Sequence, residues 1–312
     1  MSFSTALTLR VPSLSRYRSM SSYVLQFALF LGFRERFPLL LPSRPLELRN
    51  AMSSATSTSP PLINRVLLTN DDGIDAPGLR ALEAVASQLA REVWVFAPET
   101  DQSGTSHSVS LHSPLRVIPR GERRFGVTGT PGDCVVLACQ LMGEAPDLVL
   151  SGINRGGNLG VETVFSGTVG AAMTGTLMGI RSIAMSQVYS GKERVRWETG
   201  EALAPDVLRR VLATTWGEGV CLNINFPDVA ASDAGPMRVT RQGKGLVRGM
   251  FADQKMDPRN QHYYWLRFQR DGVDPVEDSE AAVVRSGSVS VTPLRFERTD
   301  PGALDQLRAA LA

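Results

Sequence analysis

Thr69-Asn70-Asp71-Asp72-Gly73 sets two adjacent carboxylates directly after the apolar run Val66-Leu67-Leu68. Ionised aspartates side by side repel one another, so a site that keeps both charged calls for a cation, and oxygen donors suit Mg²⁺, Mn²⁺ or Ca²⁺. A solvated Asp-Asp-Gly turn is the plainer reading of the same residues. Repetition favours the site. Asp101, Gln102, Ser103, Gly104, Thr105, Ser106 and His107 follow the apolar run 93–97, and Ser151-Gly152-Ile153-Asn154-Arg155-Gly156-Gly157-Asn158-Leu159-Gly160 extends the run 148–150. Ser166-Gly167-Thr168 then opens a stretch of small residues, Gly170, Ala171 and Ala172. Free N–H groups at such a helix start suit an anion, phosphate above all, although a capping role for Ser166 or Thr168 explains these residues equally.

These side chains need a scaffold that gathers strand ends. Residues 66–68 read as a strand covered on both faces. Leu79, Leu82, Ala86 and Leu89, behind Pro77, predict a helix to about Arg91, and 93–97 is a second buried strand. Strand, helix and strand at this spacing make a βαβ unit with a parallel, right-handed crossover. A meandering β section through 115–117 and 125–127 follows, and Thr130-Pro131-Gly132-Asp133 starts another helix. The expectation is an α/β fold, a Rossmann-like sandwich with a mostly parallel sheet, in which ligands sit outside the carboxyl ends of the strands.

At 312 residues, 43% hydrophobic and with a formal net charge of +2, the chain has material for a sizeable core and too little basic excess to suggest a nucleic-acid polymer as partner. Cys134, Cys139 and Cys221 lack metal-binding spacing and suit buried thiols in a reducing compartment, which predicts a cytoplasmic protein. Residues 1–61 differ from the rest, with seven arginines against Glu35 and Glu47 and many serines. An over-extended start with translation from Met52, a targeting segment to an organelle, a disordered extension and an interfacial anchor are the readings of that stretch. Arg34, Glu35 and Arg36 cut its apolar run, so no membrane span is predicted. The dinucleotide glycine fingerprint, the P-loop, the paired-His zinc motif and the nucleophile elbow are all missing, which disfavours dehydrogenase, NTPase, zinc protease and esterase readings.

Thr69-Asn70-Asp71-Asp72-Gly73, Ala97-Pro98 with Gln102-Ser103-Gly104, Gly129-Thr130-Pro131 with Asp133-Cys134-Val135, Ser151-Gly152-Ile153-Asn154 with Gly157-Asn158 and Gly160, and Ser166-Gly167-Thr168-Val169 resemble the signature blocks of the SurE family. The resemblance runs over about 65–296 and implies a metal-dependent 5′-nucleotidase that releases phosphate from nucleoside monophosphates. It also implies one divalent metal ion per subunit, Mg²⁺ or Mn²⁺, held by the positions matching Asp71, Asp72, Ser103 and Asn154. A C-terminal hairpin arm and exchanged segment, here about 228–312, would build a homodimer or homotetramer. Asn223-Ile224-Asn225-Phe226-Pro227 and 289–294 fit the pattern, whereas Asp278-Ser279-Glu280 departs from two aspartates around a threonine, and Ser288 replaces an aromatic.

Phosphate-monoester hydrolysis needs charge neutralisation and an aligned oxygen nucleophile. Asp71 and Asp72 are the expected catalytic residues, through metal-assisted water attack or an aspartyl-phosphate. Asn70, Gly104, Asn158, Ser166, Gly167 and Thr168 are expected at the phosphate or substrate, and His107 is the candidate general acid. A broader phosphatase or exopolyphosphatase and a non-catalytic nucleotide-binding regulatory module are the alternatives.

Overall fold

In the computed structural model, residues 61–190, 194–270, 274 and 276–312 are described. The readings made for residues 1–60 lie outside them. The first half of the fold runs β1 (Ile63–Thr69), α1 (Pro77–Ala86), β2 (Ala90–Pro98), β3 (Val117–Gly121), β4 (Arg124–Val127), α2 (Pro131–Leu141) and β5 (Leu148–Arg155). It continues through α3 (Gly167–Leu177), β6 (Arg181–Gln187), α4 (Trp197–Leu212), β7 (Val220–Phe226) and β8 (Gly235–Val239). Last come β9 (Val247–Met256), β10 (His262–Arg270), α5 (Glu280–Arg285), β11 (Ser288–Arg295) and α6 (Pro301–Leu311).

Nine strands form one sheet in the order β3-β4-β2-β1-β5-β6-β7-β11-β8. From β4 to β7 every neighbouring pair is parallel; β3 and β11 run against their partners β4 and β7, and β8 is parallel to β11. The mostly parallel α/β expectation therefore holds. Among the described residues β9 and β10 pair only with each other, as an antiparallel hairpin.

Strand alternation sorts the core into two layers. Val66 and Leu68 pack with Leu79, Leu82 and Val85 of α1 and with Ala204 and Leu208 of α4. Leu67, one residue out of phase, packs with Phe96, Val149 and with Cys134, Val135 and Ala138 of α2. Full burial of each such aliphatic chain contributes roughly 1.5–3 kcal/mol, which fixes the height at which β1 ends. α1 stops at Ala86, earlier than the predicted Arg91. The Ser87 hydroxyl bonds the Ala84 carbonyl, Leu89 N–H closes a turn on Ala86, and Ala90 is already paired with Ile63. Sheet pairing thus takes residues that periodicity alone gives to the helix. α2 begins at the predicted place, with Thr130 and Asp133 exchanging side-chain and backbone hydrogen bonds in a capping box. Among the described residues no helix is long and apolar enough to cross a membrane.

Candidate active site

β1 pairs with β2 on one side and β5 on the other, so the connections leaving β1 and β5 diverge and open a crevice at their carboxyl ends. Asp71 sits there, only 4% exposed. The Thr168 hydroxyl donates to its Oδ1 at 2.5 Å, and the Thr168 backbone amide also bonds it. The first anion at the start of α3 is thus a carboxylate of the chain itself, where the sequence suggested phosphate. Gly167 permits this approach, because a Cβ there would lie 2.9 Å from the Asp71 Cβ and 3.2 Å from Pro131 Cγ. Burial pushes the Asp71 pKa up, and the two Thr168 bonds oppose it. Half-buried Asp72 accepts the Arg155 N–H at 3.0 Å. Its pKa is pushed up to about 6, by burial first and the Asp71 charge second.

Backbone bonds join the strand-end loops. Gln102 N–H donates to the Asp71 carbonyl at 2.7 Å, and Ser106 N–H to the Phe165 carbonyl at 3.1 Å. Asp71, Ser103, Gly104, Asn154, Asn158 and Ser166 consequently line one cavity of about 490 Å³. Asp72 opens on a neighbouring cavity of about 390 Å³, with Asp101, and Arg155 borders both. Asn154 spends its Nδ2 on the Gly156 carbonyl at 2.9 Å, an orientation that leaves its Oδ1 as an oxygen donor. The Ser166 hydroxyl accepts the Val169 N–H at 3.0 Å and is therefore the cap of α3 as well as a lining group.

Three expected site residues have other partners. Asn158 is a latch: its N–H and Nδ2 donate to Asn225 Oδ1 and Ser186 Oγ, each at 2.9 Å, while its carbonyl accepts from Asn223 and Asn225. Asn70 is fully buried and donates to the Gly73 carbonyl at 2.9 Å. His107 stacks on Phe296, with Nε2 2.9 Å from Thr174 Oγ1 on α3, and does not line the cavity. Burial and the Arg298 charge lower its pKa.

The donor chemistry fits a hard divalent ion. Among the described residues no three carboxylates, imidazoles or thiolates cluster, so zinc-type ligation is not what this site offers. Two carboxylates, a hydroxyl and an amide supply oxygen donors, the set that Mg²⁺ and Mn²⁺ take. Asn70 Oδ1, next in sequence to Asp71, and Ser151 Oγ, at the β5 residue paired with Thr69, are buried without a hydrogen-bond partner, and orphaned groups of this kind call for an ion or ordered water.

A family model described as Survival protein SurE matches residues 66–248. The chain belongs to the SurE family. "5'-nucleotidase SurE 1" of Burkholderia lata is 58% identical over 253 residues, covering 80% of this chain and 98% of that relative. "5'-nucleotidase SurE" of Mesorhizobium japonicum is 49% identical over 252 residues, 80% of this chain and all of its own length. The crystal structure of the SurE protein from Aquifex aeolicus aligns with a TM-score of 0.68 at 35% identity, over 79% of this chain and 99% of that one. In this SurE chain the cavity is also lined by Glu162, Phe165, Tyr189, Leu246, Phe268 and Arg270, which sequence reasoning missed. Tyr189 follows β6 and was within reach of the strand-end rule. Phe268 and Arg270 arrive on β10, and nothing local in the sequence announces that.

Proposed function

We propose that the chain is a divalent-metal-dependent 5′-nucleotidase, hydrolysing nucleoside monophosphates to nucleosides and phosphate. The observation that carries this reading is the carboxylate pair Asp71 and Asp72 at the β1/β5 switch point, with Ser103 and Asn154 lining the same cavity as Asp71, and Asp72 on the cavity adjoining it. Family membership and the similarity to relatives named as 5′-nucleotidases support it.

Asp71, Asp72, Ser103 and Asn154 would hold one Mg²⁺ or Mn²⁺, which supplies phosphoryl charge neutralisation and orientation of the attacking water. The residues around it do the rest. Thr168 fixes the Asp71 carboxylate, and the Arg155 amide fixes Asp72. Arg155 brings a cation to the cavity edge, where phosphate would otherwise meet two negative side chains. Gly104 and the Ser166-Gly167 segment offer close backbone approach to the phosphoryl oxygens. Water oxygen forms the new P–O bond, the bond from phosphorus to the 5′ oxygen breaks, and that oxygen leaves with a proton. The reaction takes place in the cytoplasm in this reading, in keeping with three free thiols, and the active form is a homodimer or homotetramer built through β9 and β10.

The test is phosphate release from a panel of nucleoside monophosphates by metal-stripped protein, with Mg²⁺ or Mn²⁺ added back. Restored turnover is expected, and Asp72→Asn should cut it by at least about a hundredfold, as removal of a charge-stabilising group does elsewhere. Folded, metal-binding protein that releases nothing from any of them would move the assignment to a nucleotide-binding module.

A further inference from the structure

Glu280 is a fully buried carboxylate that the proposed hydrolysis does not use. It is the first residue of α5, behind the Ser279 cap, whose hydroxyl accepts the Ala282 N–H at 3.2 Å. Its Oε1 accepts the Gly160 N–H at 2.5 Å, and its Oε2 accepts the Gly243 N–H at 2.7 Å. One side chain therefore ties together two segments far apart in sequence, the loop leaving β5 and the loop leaving β8.

Neighbouring contacts close the same joint. Buried Asp274 accepts the Gly245 N–H at 2.8 Å, and Gln242 Nε2 donates to the Gly160 carbonyl and to Thr163 Oγ1, both at 2.8 Å. The two backbones touch: Gly160 has a φ of +56°, and a Cβ on it would lie 2.1 Å from Gly245 N. Leu159 and Glu162 flank Gly160, Leu246 follows Gly245, and all three line the cavity that contains Asp71. A buried carboxylate costs several kcal/mol unless its oxygens are satisfied, and two charge-assisted N–H bonds from separate segments satisfy these while fixing their spacing.

We propose that Glu280 is a positioning residue that locks the loop at Gly160 to the loop at Gly243 and thereby sets the Leu159, Glu162 and Leu246 wall against which the nucleoside part of the substrate binds. The proposal rests on the nucleotidase reading. It assigns to a residue outside the crevice a share in nucleotide affinity, separate from phosphate chemistry, which lies with Asp71 and Asp72.

Glu280→Gln is the decisive variant. Glutamine keeps the length and one acceptor, but its NH₂ would face one of the two N–H donors, so one join is lost without a cavity. KM for nucleoside monophosphates is expected to rise about tenfold, the effect of one charge-assisted hydrogen bond. kcat, and kcat/KM for glycerol phosphate, which lacks a base, should stay within about twofold. Gln242→Ala should move KM in the same direction by less, and serves if Glu280→Gln does not fold. Amide exchange at Gly160 and Gly243 should quicken about tenfold in Glu280→Gln, a readout independent of turnover. Unchanged KM and exchange, or equal losses for nucleotide and glycerol phosphate, would overturn the proposal while wild-type turnover keeps the nucleotidase reading. Wild-type protein inactive on every nucleoside monophosphate would overturn both.

Discussion

The carboxylates of Asp71 and Asp72 carry an unusual charge problem, because both are drawn toward the protonated state in the protein alone. Burial is the first cause for each, and for Asp72 the Asp71 charge comes second. A raised folded-state pKa means that the folded chain holds the proton more tightly than the unfolded one. In metal-free protein the Asp72 contribution to stability is therefore complete below the ordinary carboxylate pKa of 3.8 and is lost as pH rises through about 6. A divalent ion held as proposed would reverse that loss by binding the ionised pair, and would stabilise the fold by its own mass action. Mg²⁺ or Mn²⁺ should accordingly raise the melting temperature more at pH 7.5 than at pH 5, against a chelator control at each pH. Asp72→Asn should flatten this difference. Equal metal-induced shifts at the two pH values would separate these carboxylates from metal binding.

At the scale of elements, the start of α3 does the placing. Thr168 grips Asp71, Ser166 caps the helix, and Gly167 lets the carboxylate and Pro131 come close from two sides. Gly167→Ala should push Asp71 aside, weaken divalent-ion affinity in titration calorimetry, and lower stability by about 1–3 kcal/mol in a denaturant melt, the range for an inserted methyl in a packed place. Intact affinity would show that Asp71 does not depend on this approach. Much of this arrangement was legible in the sequence. Apolar runs ending in Asp71-Asp72, Ser103 and Asn154 mark strand ends, and parallel strands deliver their ends to one edge. The boundary of α1 was not, because Ala90 is taken by pairing with Ile63, a contact between residues distant in sequence. Asn158 lines the cavity as the strand-end pattern suggests, but its second role, with its N–H on Asn225 and its Nδ2 on Ser186, depends on residues distant in sequence and was not legible. His107 lies near Ser103 along the chain, yet Thr174 and Phe296 hold its ring, and neither partner is near it in sequence.

At the scale of the whole molecule, one part has no covering layer among the described residues. A two-stranded ribbon is marginal alone in water, and among the described residues the β9–β10 hairpin pairs with no other strand. Tyr264 and Leu266 stand on one face and Tyr263 and Trp265 on the other, all more than 40% exposed, with Met250 and Phe251 across the ladder. So much large apolar surface on so short a ribbon suits burial against another copy of the chain, as the proposed homo-oligomer requires. Phe268, further along β10, packs on Phe165 at 5.2 Å between ring centres, and Arg270 pairs with Glu162; these four residues line the cavity. Assembly and catalysis should therefore be linked through this strand. Placing charges with Trp265→Lys and Leu266→Glu should reduce the mass by light scattering toward the 33.8 kDa of a single chain. In the same variant kcat/KM for nucleoside monophosphates should fall, because Phe268 and Arg270 lose the support that holds the strand over the cavity. A variant that keeps its oligomeric mass would show that these side chains do not build the interface, and a monomer with full activity would uncouple the arm from the site.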